Sequence, residues 1–139
     1  ADGFSVEFSG EVKISPTGVG EESKERIVRS TDYLQDDGDS AYIVGATLAR
    51  YSVEFNKGVE ASYGALKCKS TLSDTPLNFG RGLARDISGT DCGDDGSLRV
   101  EARYYAVNKW FYQVLAIFNR GGDQNAARRF VNSFTVLDN

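Results

Sequence analysis

The sequence contains no histidine, and this absence removes most of the catalytic and metal chemistry open to a small protein. Serine–histidine triads and cysteine–histidine dyads need an imidazole as their general base. Two cysteines without histidine leave a tetrahedral zinc shell half empty. General acid–base catalysis would therefore rest on aspartate and glutamate alone.

Nucleotide-binding motifs and long hydrophobic runs are missing as well. No Walker loop or GxGxxG fingerprint stands between a strand and a helix, and Gly80-Arg81-Gly82 is too short to serve as one. The densest apolar run, from Trp110 to Phe118, is interrupted by Gln113 and is far shorter than the roughly 18 residues of a transmembrane helix. We therefore expect no cofactor and no transmembrane segment.

Size and composition are those of an ordinary globular protein. The chain has 139 residues, 40% of them hydrophobic and 26% charged, so we expect a single domain over residues 1–139. A net charge of -4 argues against nucleic acid as a partner. The sequence lacks methionine and opens Ala-Asp-Gly, and small residues flank signal-peptidase cleavage sites. We expect a mature exported protein of the periplasm or cell envelope; the alternative is a sequence that begins at a domain boundary.

The two cysteines, Cys68 and Cys92, lie 24 positions apart. An even pair in an oxidising compartment is usually bridged, and closing a loop of this size contributes roughly 3.5 kcal/mol in the chain-entropy model. Cys92 lies in a segment of loop composition, Thr90–Gly96, where a cysteine is easily bridged. We predict a disulfide between them; the alternative, in the cytosol, is two buried free thiols.

The strongest pattern runs from Ser97 to Phe134, where two alternating strands joined by Asn108-Lys109 precede an amphipathic helix capped by Asp123. The second strand is apolar on both faces and should therefore be covered on both sides. One face carries Trp110, Tyr112, Val114, Ala116 and Phe118, and the other carries Phe111, Leu115 and Ile117. The buried stripe of the helix consists of Ala126, Ala127, Phe130, Val131 and Phe134.

Weaker patterns precede this segment. Alternation predicts strands over Phe4–Phe8, residues 24–34, Tyr42–Tyr51 and Leu77–Ile87. Ser9-Gly10 would turn the first strand into a hairpin partner over Val12–Ile14, and residues 15–23 have loop composition. Gly80 and Gly82 within the last of these strands indicate a bulge or a close backbone approach.

One further helix is predicted from Val59, Tyr63 and Leu66, which recur at helical spacing behind a cap at Asn56. Strands joined by short turns pair antiparallel, and helices cover the faces of such a sheet. The expected fold class is α+β, a mostly antiparallel sheet of about six to seven strands covered by two main helices, one on each face.

Both ends of the chain carry family-like motifs, namely GFSVEFSG at Gly3–Gly10, RYYAV at Arg103–Val107, WFYQV at Trp110–Val114 and ARRFVNSF at Ala127–Phe134. These resemble the opening, the hairpin and the closing helix of small exported bacterial proteins that share the fold of the photosystem subunit PsbP and the nuclear-transport protein Mog. The resemblance covers about half of the chain and leaves out both cysteines. It implies an antiparallel sheet between helices, a PsbP/Mog-like sandwich, with no known enzymatic activity.

An acidic cluster at Asp91, Asp94 and Asp95 is the best metal candidate in the sequence. Read as a calcium loop that starts at Asp91, Asp95 and the glycine after it fall at the correct offsets. However, Gly93 occupies the third position, and Ala102 occupies the twelfth, where a bidentate glutamate belongs. We therefore interpret the three aspartates as solvated turn residues and predict no metal site, with calcium as the alternative.

Carboxylate pairs for hydrolysis would have to come from residues such as Glu7, Glu54 and Glu101. Glu101 alternates with Arg99 and Arg103 along one strand, a pattern typical of a surface ladder of ion pairs. Arg128 and Arg129 of the last helix could bind an anion, but we interpret them as solvated residues that complement the helix dipole. These residues therefore predict no catalytic site.

Trp110, Tyr112 and Arg103 are the candidate binding residues, although aromatic residues in a strand more often belong to the core. The prediction is a non-enzymatic exported domain that binds an unidentified small molecule or protein. Its alternatives are a carboxylate-dependent hydrolase and a purely structural cell-envelope protein. A hydrolase needs two acids in one concave pocket, whereas a binding domain needs an apolar cleft with few polar anchors.

Overall fold

The computed structural model describes residues 3–16 and 25–137, which form one seven-stranded antiparallel sheet, one two-stranded sheet and two helices. The large sheet contains β2 (Lys13–Pro16), β3 (Ile27–Asp36), β4 (Ser40–Ala49), β5 (Ser70–Leu77), β6 (Leu83–Cys92), β7 (Leu98–Val107) and β8 (Trp110–Asn119), in the order β2-β3-β4-β8-β7-β6-β5. The other elements are β1 (Phe4–Ser5), β9 (Thr135–Val136), α1 (Phe55–Ala65) and α2 (Gln124–Ser133). The α+β class is confirmed. Ser15 and Pro16 of the predicted loop belong to β2, and its residues 17–23 lie outside the described residues.

The β7–β8 hairpin occupies the centre of the large sheet, between β6 and β4. Its turn is formed by Asn108-Lys109, and Asn108 has a φ of 55°, a left-handed conformation that asparagine tolerates. The α1 helix packs on one face of the hairpin and α2 on the other. Tyr112, Val114, Ala116 and Phe118 lie in the core under α2, whereas Phe111, Leu115 and Ile117 lie in the core under α1. The predicted coverage on both sides is confirmed.

The α2 helix has a strong N-terminal cap and a buried apolar stripe. The Asp123 carboxylate accepts a hydrogen bond from the backbone N–H of Ala126 at 3.0 Å, as predicted. Its fully buried residues are Ala127, Phe130 and Val131. The ring of Phe8, from the N-terminal segment, lies 5.1 Å from that of Phe130 and closes this face of the core.

Within the part of the chain that the structure describes, the α1 helix lacks a side-chain cap of the kind that Asp123 gives α2. The predicted cap at Asn56 is wrong. The helix begins at Phe55, after Glu54, whose side chain makes no capping hydrogen bond to the described helix and instead pairs with Lys57 of the helix at 3.0 Å. Phe55 takes the first helical position because its ring packs at 6.3 Å against Phe111. The two glycines of α1 each disfavour the helix by about 1 kcal/mol relative to alanine. At Gly58 a Cβ would lie 3.1 Å from the Phe111 ring, so a larger residue there would require that ring to shift by a few tenths of an ångström. Among the described residues, no helix is long and apolar enough to cross a membrane.

The predicted disulfide is present between Cys68 and Cys92. It joins the segment that follows α1 to the end of β6. The predicted loop begins only after Cys92, over residues 93–97, because Cys92 itself is the last residue of β6 and is only 1% exposed. Its side chain lies in the core under α1, so the disulfide closes the edge of that core.

The predicted N-terminal hairpin is wrong. Phe4 pairs with Val136 in the small sheet, and Ile14 pairs with Tyr33 at the edge of the large sheet, so β1 and β2 are not partners. The ring of Phe4 packs edge-on against Tyr33 and stacks on Phe134. The N-terminal segment therefore crosses the α2 face and contributes core side chains instead of a hairpin strand.

The single strand predicted over Leu77–Ile87 is in fact the junction of two strands, β5 and β6, with a turn over residues 78–82. The β5 strand had no sequence signal because all its residues before Leu77 are exposed at the sheet edge. The close approach predicted at the glycines is present, since a Cβ at Gly82 would lie 2.0 Å from the carbonyl oxygen of Ala106. Gly82 is therefore required for the turn to lie against β7.

We predict that Gly82→Ala lowers the free energy of unfolding by about 1–3 kcal/mol, because the added methyl group would clash with the Ala106 backbone. Gly80→Ala is the matched control, since nothing lies within 4 Å of its Cβ. Thermal and urea unfolding of both variants measure the difference. Equal melting points for the two variants would show that the turn does not press on β7.

Candidate functional site

A polar cluster lies between the sheet and α2, and it contains charged residues that the sequence had assigned to the surface. Glu101 of β7 is 0% exposed, and its pairing partner in β6 is Ser88. Asp86 of β6, opposite Arg103, is also buried. The helix supplies Gln124, Arg128 and Asn132, which are spaced by four residues and therefore share one face of α2.

Arg128 connects the two carboxylates of this cluster. Its guanidinium group lies 3.1 Å from the Asp86 carboxylate and 3.2 Å from that of Glu101. Arg103 lies 2.9 Å from Asp86 and also donates a hydrogen bond to Asn132 at 2.8 Å. Glu101 also accepts a hydrogen bond from Ser88 and one from Gln124 at 3.4 Å, and it lies 3.8 Å from the guanidinium of Arg99. The cluster thus fastens α2 to β6 and β7.

Charge balance explains how these groups are accommodated. Burial alone lowers the pKa of Arg128, but its hydrogen bond to Asp86 and the negative charges of Asp86 and Glu101 outweigh burial, so that the pKa is raised. Arg128 therefore remains charged, and breaking such a pair leaves an uncompensated buried charge. This arrangement indicates a structural clamp.

Two sequence interpretations are corrected by this cluster. Glu101 is not part of a surface ladder, and Arg128 is not a solvated helix residue. The physical reason is that α2 lies directly over the β6–β7 pair, so that charges alternating on the strand face are covered. The spacing of Gln124, Arg128 and Asn132 beside the apolar stripe was the available signal. We expect the cluster to stabilise the fold, since its charged groups pair with one another between α2 and the sheet.

Each of the three candidate calcium ligands contacts a different side chain. Asp91 lies 2.8 Å from Arg120, and Asp94 lies 2.5 Å from Lys67. The Asp95 carboxylate accepts hydrogen bonds from the hydroxyl and backbone N–H of the serine two residues on, which lower its pKa. Within the described part of the chain, no group of three acidic, cysteine or histidine residues could hold a metal ion. Asp94 and Asp95 are exposed turn residues, as the sequence predicted, whereas Asp91 belongs to β6 and is partly buried.

The three candidate binding residues do not form a site. Arg103 belongs to the clamp, and Tyr112 is 1% exposed. Trp110 is half-buried and stacks on Tyr112 at 5.6 Å, and the guanidinium of Arg29 lies 5.3 Å from its ring centroid. The Trp110 ring is therefore in contact with side chains of the protein itself.

The cleft with the most apolar lining of three described cavities lies on the opposite face of the sheet, beside the first turn of α1, and has a volume of about 500 Å³. We call it the α1 cleft. Its apolar lining comprises Ile27, Ala49, Tyr51, Val53 and Phe111, and its polar lining includes Arg26, Thr47 and Glu54. The Thr47 hydroxyl lies 2.9 Å from that of Ser30, which fixes its position at the β3–β4 wall. Gly58 completes the wall on the side of α1.

Polar groups on the floor beneath α1 hold the middle of the helix. The Ser62 hydroxyl lies 3.0 Å from the Tyr104 hydroxyl and 2.5 Å from the Gln113 side-chain oxygen. Burial raises the pKa of Tyr104 to about 12, so its phenol is neutral at physiological pH and can take part in hydrogen bonds. These contacts place Tyr104 and Gln113 in a structural role beside the cleft.

Two other cavities are less suited to a ligand. One, of about 200 Å³, lies between the N-terminal segment and α2, and Glu7 and Arg129 line it. The other, of about 570 Å³, is lined by five residues at the β2 edge, three of which are the charged Glu11, Lys13 and Asp36. The carboxylates named from the sequence are not brought together: Glu7 lines the small cavity, Glu54 the α1 cleft, and Glu101 belongs to the clamp.

No protein-family model matches this chain, and no curated protein matches it either. The functional argument therefore depends on the geometry of the clamp and the cleft.

We predict that Arg128→Met lowers the free energy of unfolding by about 2–4 kcal/mol, because it leaves two carboxylates between β6, β7 and α2 without their shared cation. Arg129→Met removes the same charge from an exposed neighbour on the same helix and should change stability by less than about 0.5 kcal/mol. Urea unfolding at neutral pH compares them. A loss for Arg128→Met no larger than that for Arg129→Met would contradict the clamp.

Proposed function

We propose that the protein is a non-enzymatic domain that binds the apolar part of a small molecule in the α1 cleft. The observation that carries this proposal is the cleft itself, a concave site with apolar walls and a few polar groups. Its volume of about 500 Å³ falls within the roughly 300–1,000 Å³ of small-molecule sites.

The lining of the α1 cleft favours a ligand with a flat apolar group and a polar end. Phe111 and Tyr51 offer aromatic surface on which a ring can stack, and Tyr51 is 64% exposed. Thr47 supplies a hydroxyl, while Arg26 and Glu54 supply opposite charges. A hydrogen-bonding substituent on the ligand would meet these groups and fix its orientation.

Carboxylate-dependent hydrolysis is the less favoured reading. The α1 cleft contains one described carboxylate, Glu54, whereas hydrolysis by carboxylates needs a pair. Glu11 and Asp36 do share the β2-edge groove, but both are exposed, and Asp36 accepts a hydrogen bond from the backbone of Gly38. This groove supplies no apolar wall comparable to that of the α1 cleft.

The proposal also includes export to the periplasm or envelope and a PsbP/Mog-like sandwich. The Cys68–Cys92 disulfide supports export because such bonds persist in oxidising compartments. An antiparallel sheet with one helix on each face supports the sandwich. A purely structural envelope role would leave the α1 cleft without a ligand, which the following experiment tests.

We predict that N-phenyl-1-naphthylamine, a neutral aromatic dye that fluoresces in apolar surroundings, binds the protein at one site. Ala49→Trp should weaken this binding at least about tenfold, or 1.4 kcal/mol, because the indole would fill the cleft. Ala61→Trp places the same side chain on the exposed side of α1 and should leave the affinity within about twofold. Fluorescence titration of the three proteins measures the dissociation constants.

Circular dichroism and melting curves first establish that both variants are folded. Absence of dye binding to the unmodified protein, or equal affinity of both tryptophan variants, would overturn the proposed cleft. Hydrolysis of generic ester or glycoside substrates that is abolished by Asp36→Asn would instead support the hydrolase.

A further inference from the structure

We propose that the Cys68–Cys92 disulfide regulates the α1 cleft, because it fixes the helix that forms one wall of that cleft. Oxidation holds α1 on the sheet, and reduction releases its C-terminal end and weakens ligand binding. This inference rests on the proposed binding function and adds a redox control to it.

The α1 helix has fewer stabilising features of its own than α2. Of its eleven residues, Phe55 and Val59 are buried, and Tyr63 is partly buried against the same core. It carries no acidic residue in its first turn and no basic residue in its last, and the described part of the chain gives it no side-chain cap. A helix of this length is not stable by itself and depends on tertiary contacts.

Different contacts hold the two ends and the middle of α1 on the sheet. At the cleft end, Phe55 packs on Phe111, and in the middle Ser62 reaches Tyr104. Beyond the C-terminal end, the disulfide from Cys68 is the covalent attachment to the sheet. It acts on the one helix that walls the cleft.

The other described contacts at this end of α1 are non-covalent. Lys67 pairs with Asp94, but both side chains are largely exposed, and exposed ion pairs contribute little to stability. The carbonyl of Leu66 accepts a hydrogen bond from Gly93 at 2.9 Å. Beyond Cys68, the backbone N–H of Lys69 donates a hydrogen bond to the carbonyl of Asp91 at 3.1 Å, and β5 pairs with β6 from Ser70 onward. Once the disulfide is broken, only non-covalent contacts of this kind hold the C-terminal end of α1 among the described residues.

The chemical step is a thiol–disulfide exchange with a dithiol reductant. Its thiolate attacks Sγ of Cys68, which is half-buried and hence more accessible than that of Cys92. A mixed disulfide forms, and the Cys92 thiolate leaves. The second thiol of the reductant then closes its own disulfide and releases Cys68, so that two electrons and two protons pass to the protein.

The consequence for the cleft follows from Gly58, which lies both in its wall and on the Phe111 ring. When the far end of α1 is free, the helix frays or shifts and the wall no longer stays in place. If the docked helix is then populated one-fifth of the time, the apparent affinity falls about fivefold. The clamp on the other face of the sheet does not involve α1 and keeps α2 in place.

The test compares oxidised protein, protein reduced with dithiothreitol, and the variant carrying Cys68→Ser and Cys92→Ala. We expect amide hydrogen exchange to accelerate in Phe55–Ala65 on reduction, while Gln124–Ser133 stays protected. The affinity for N-phenyl-1-naphthylamine should fall at least about fivefold and recover on reoxidation. The double variant should match the reduced protein, and reductant should not change it further.

Unchanged exchange in α1 on reduction would overturn the proposal, as would simultaneous loss of protection in α1 and α2, which would make the disulfide a support of the whole fold. Accelerated exchange in α1 with unchanged dye affinity would also overturn it. If the oxidised protein binds no dye, the proposed binding function fails, and hydrogen exchange then still decides whether the disulfide controls α1.

Discussion

The structure depends on one constraint, that the central β7–β8 hairpin is apolar on both faces and must be covered on both. Val114 and Leu115 are adjacent in the chain and are buried in opposite cores. One helix therefore has to pack on each face, and the chain supplies them on either side of the central strands in the sequence. The two helices have unequal roles, because different interactions attach them to the sheet.

The α2 helix is attached by a buried apolar stripe and by charge. Phe130 anchors it in the core, while Arg128 joins it to Asp86 and Glu101. The α1 helix has neither a comparable stripe nor a buried ion pair among its described contacts, and a disulfide holds the segment behind it. The face with the weaker helix is also the face with the α1 cleft. We therefore associate stability with the α2 face and binding with the α1 face.

The sequence predicted those parts of the fold in which pattern and burial coincide. The hairpin at Asn108, the cap at Asp123 and the disulfide are all present. The edge strand Ser70–Leu77 carried no pattern because neither of its faces is buried. Glu101 was predicted to be exposed, because the alternation of charged residues along β7 is the same whether or not a helix covers that face of the sheet. The cleft could not be predicted at all, since it is formed where α1 meets strands distant in sequence.

The most direct test of the account is an unbiased screen of small aromatic fragments by ¹H–¹⁵N NMR of the oxidised protein. The account predicts that binding fragments shift the amide signals of Thr47, Ala49, Gly58 and Phe111, which line the α1 cleft. Fragments that shift only residues of the β2-edge groove, or a screen without any binding fragment, would contradict it.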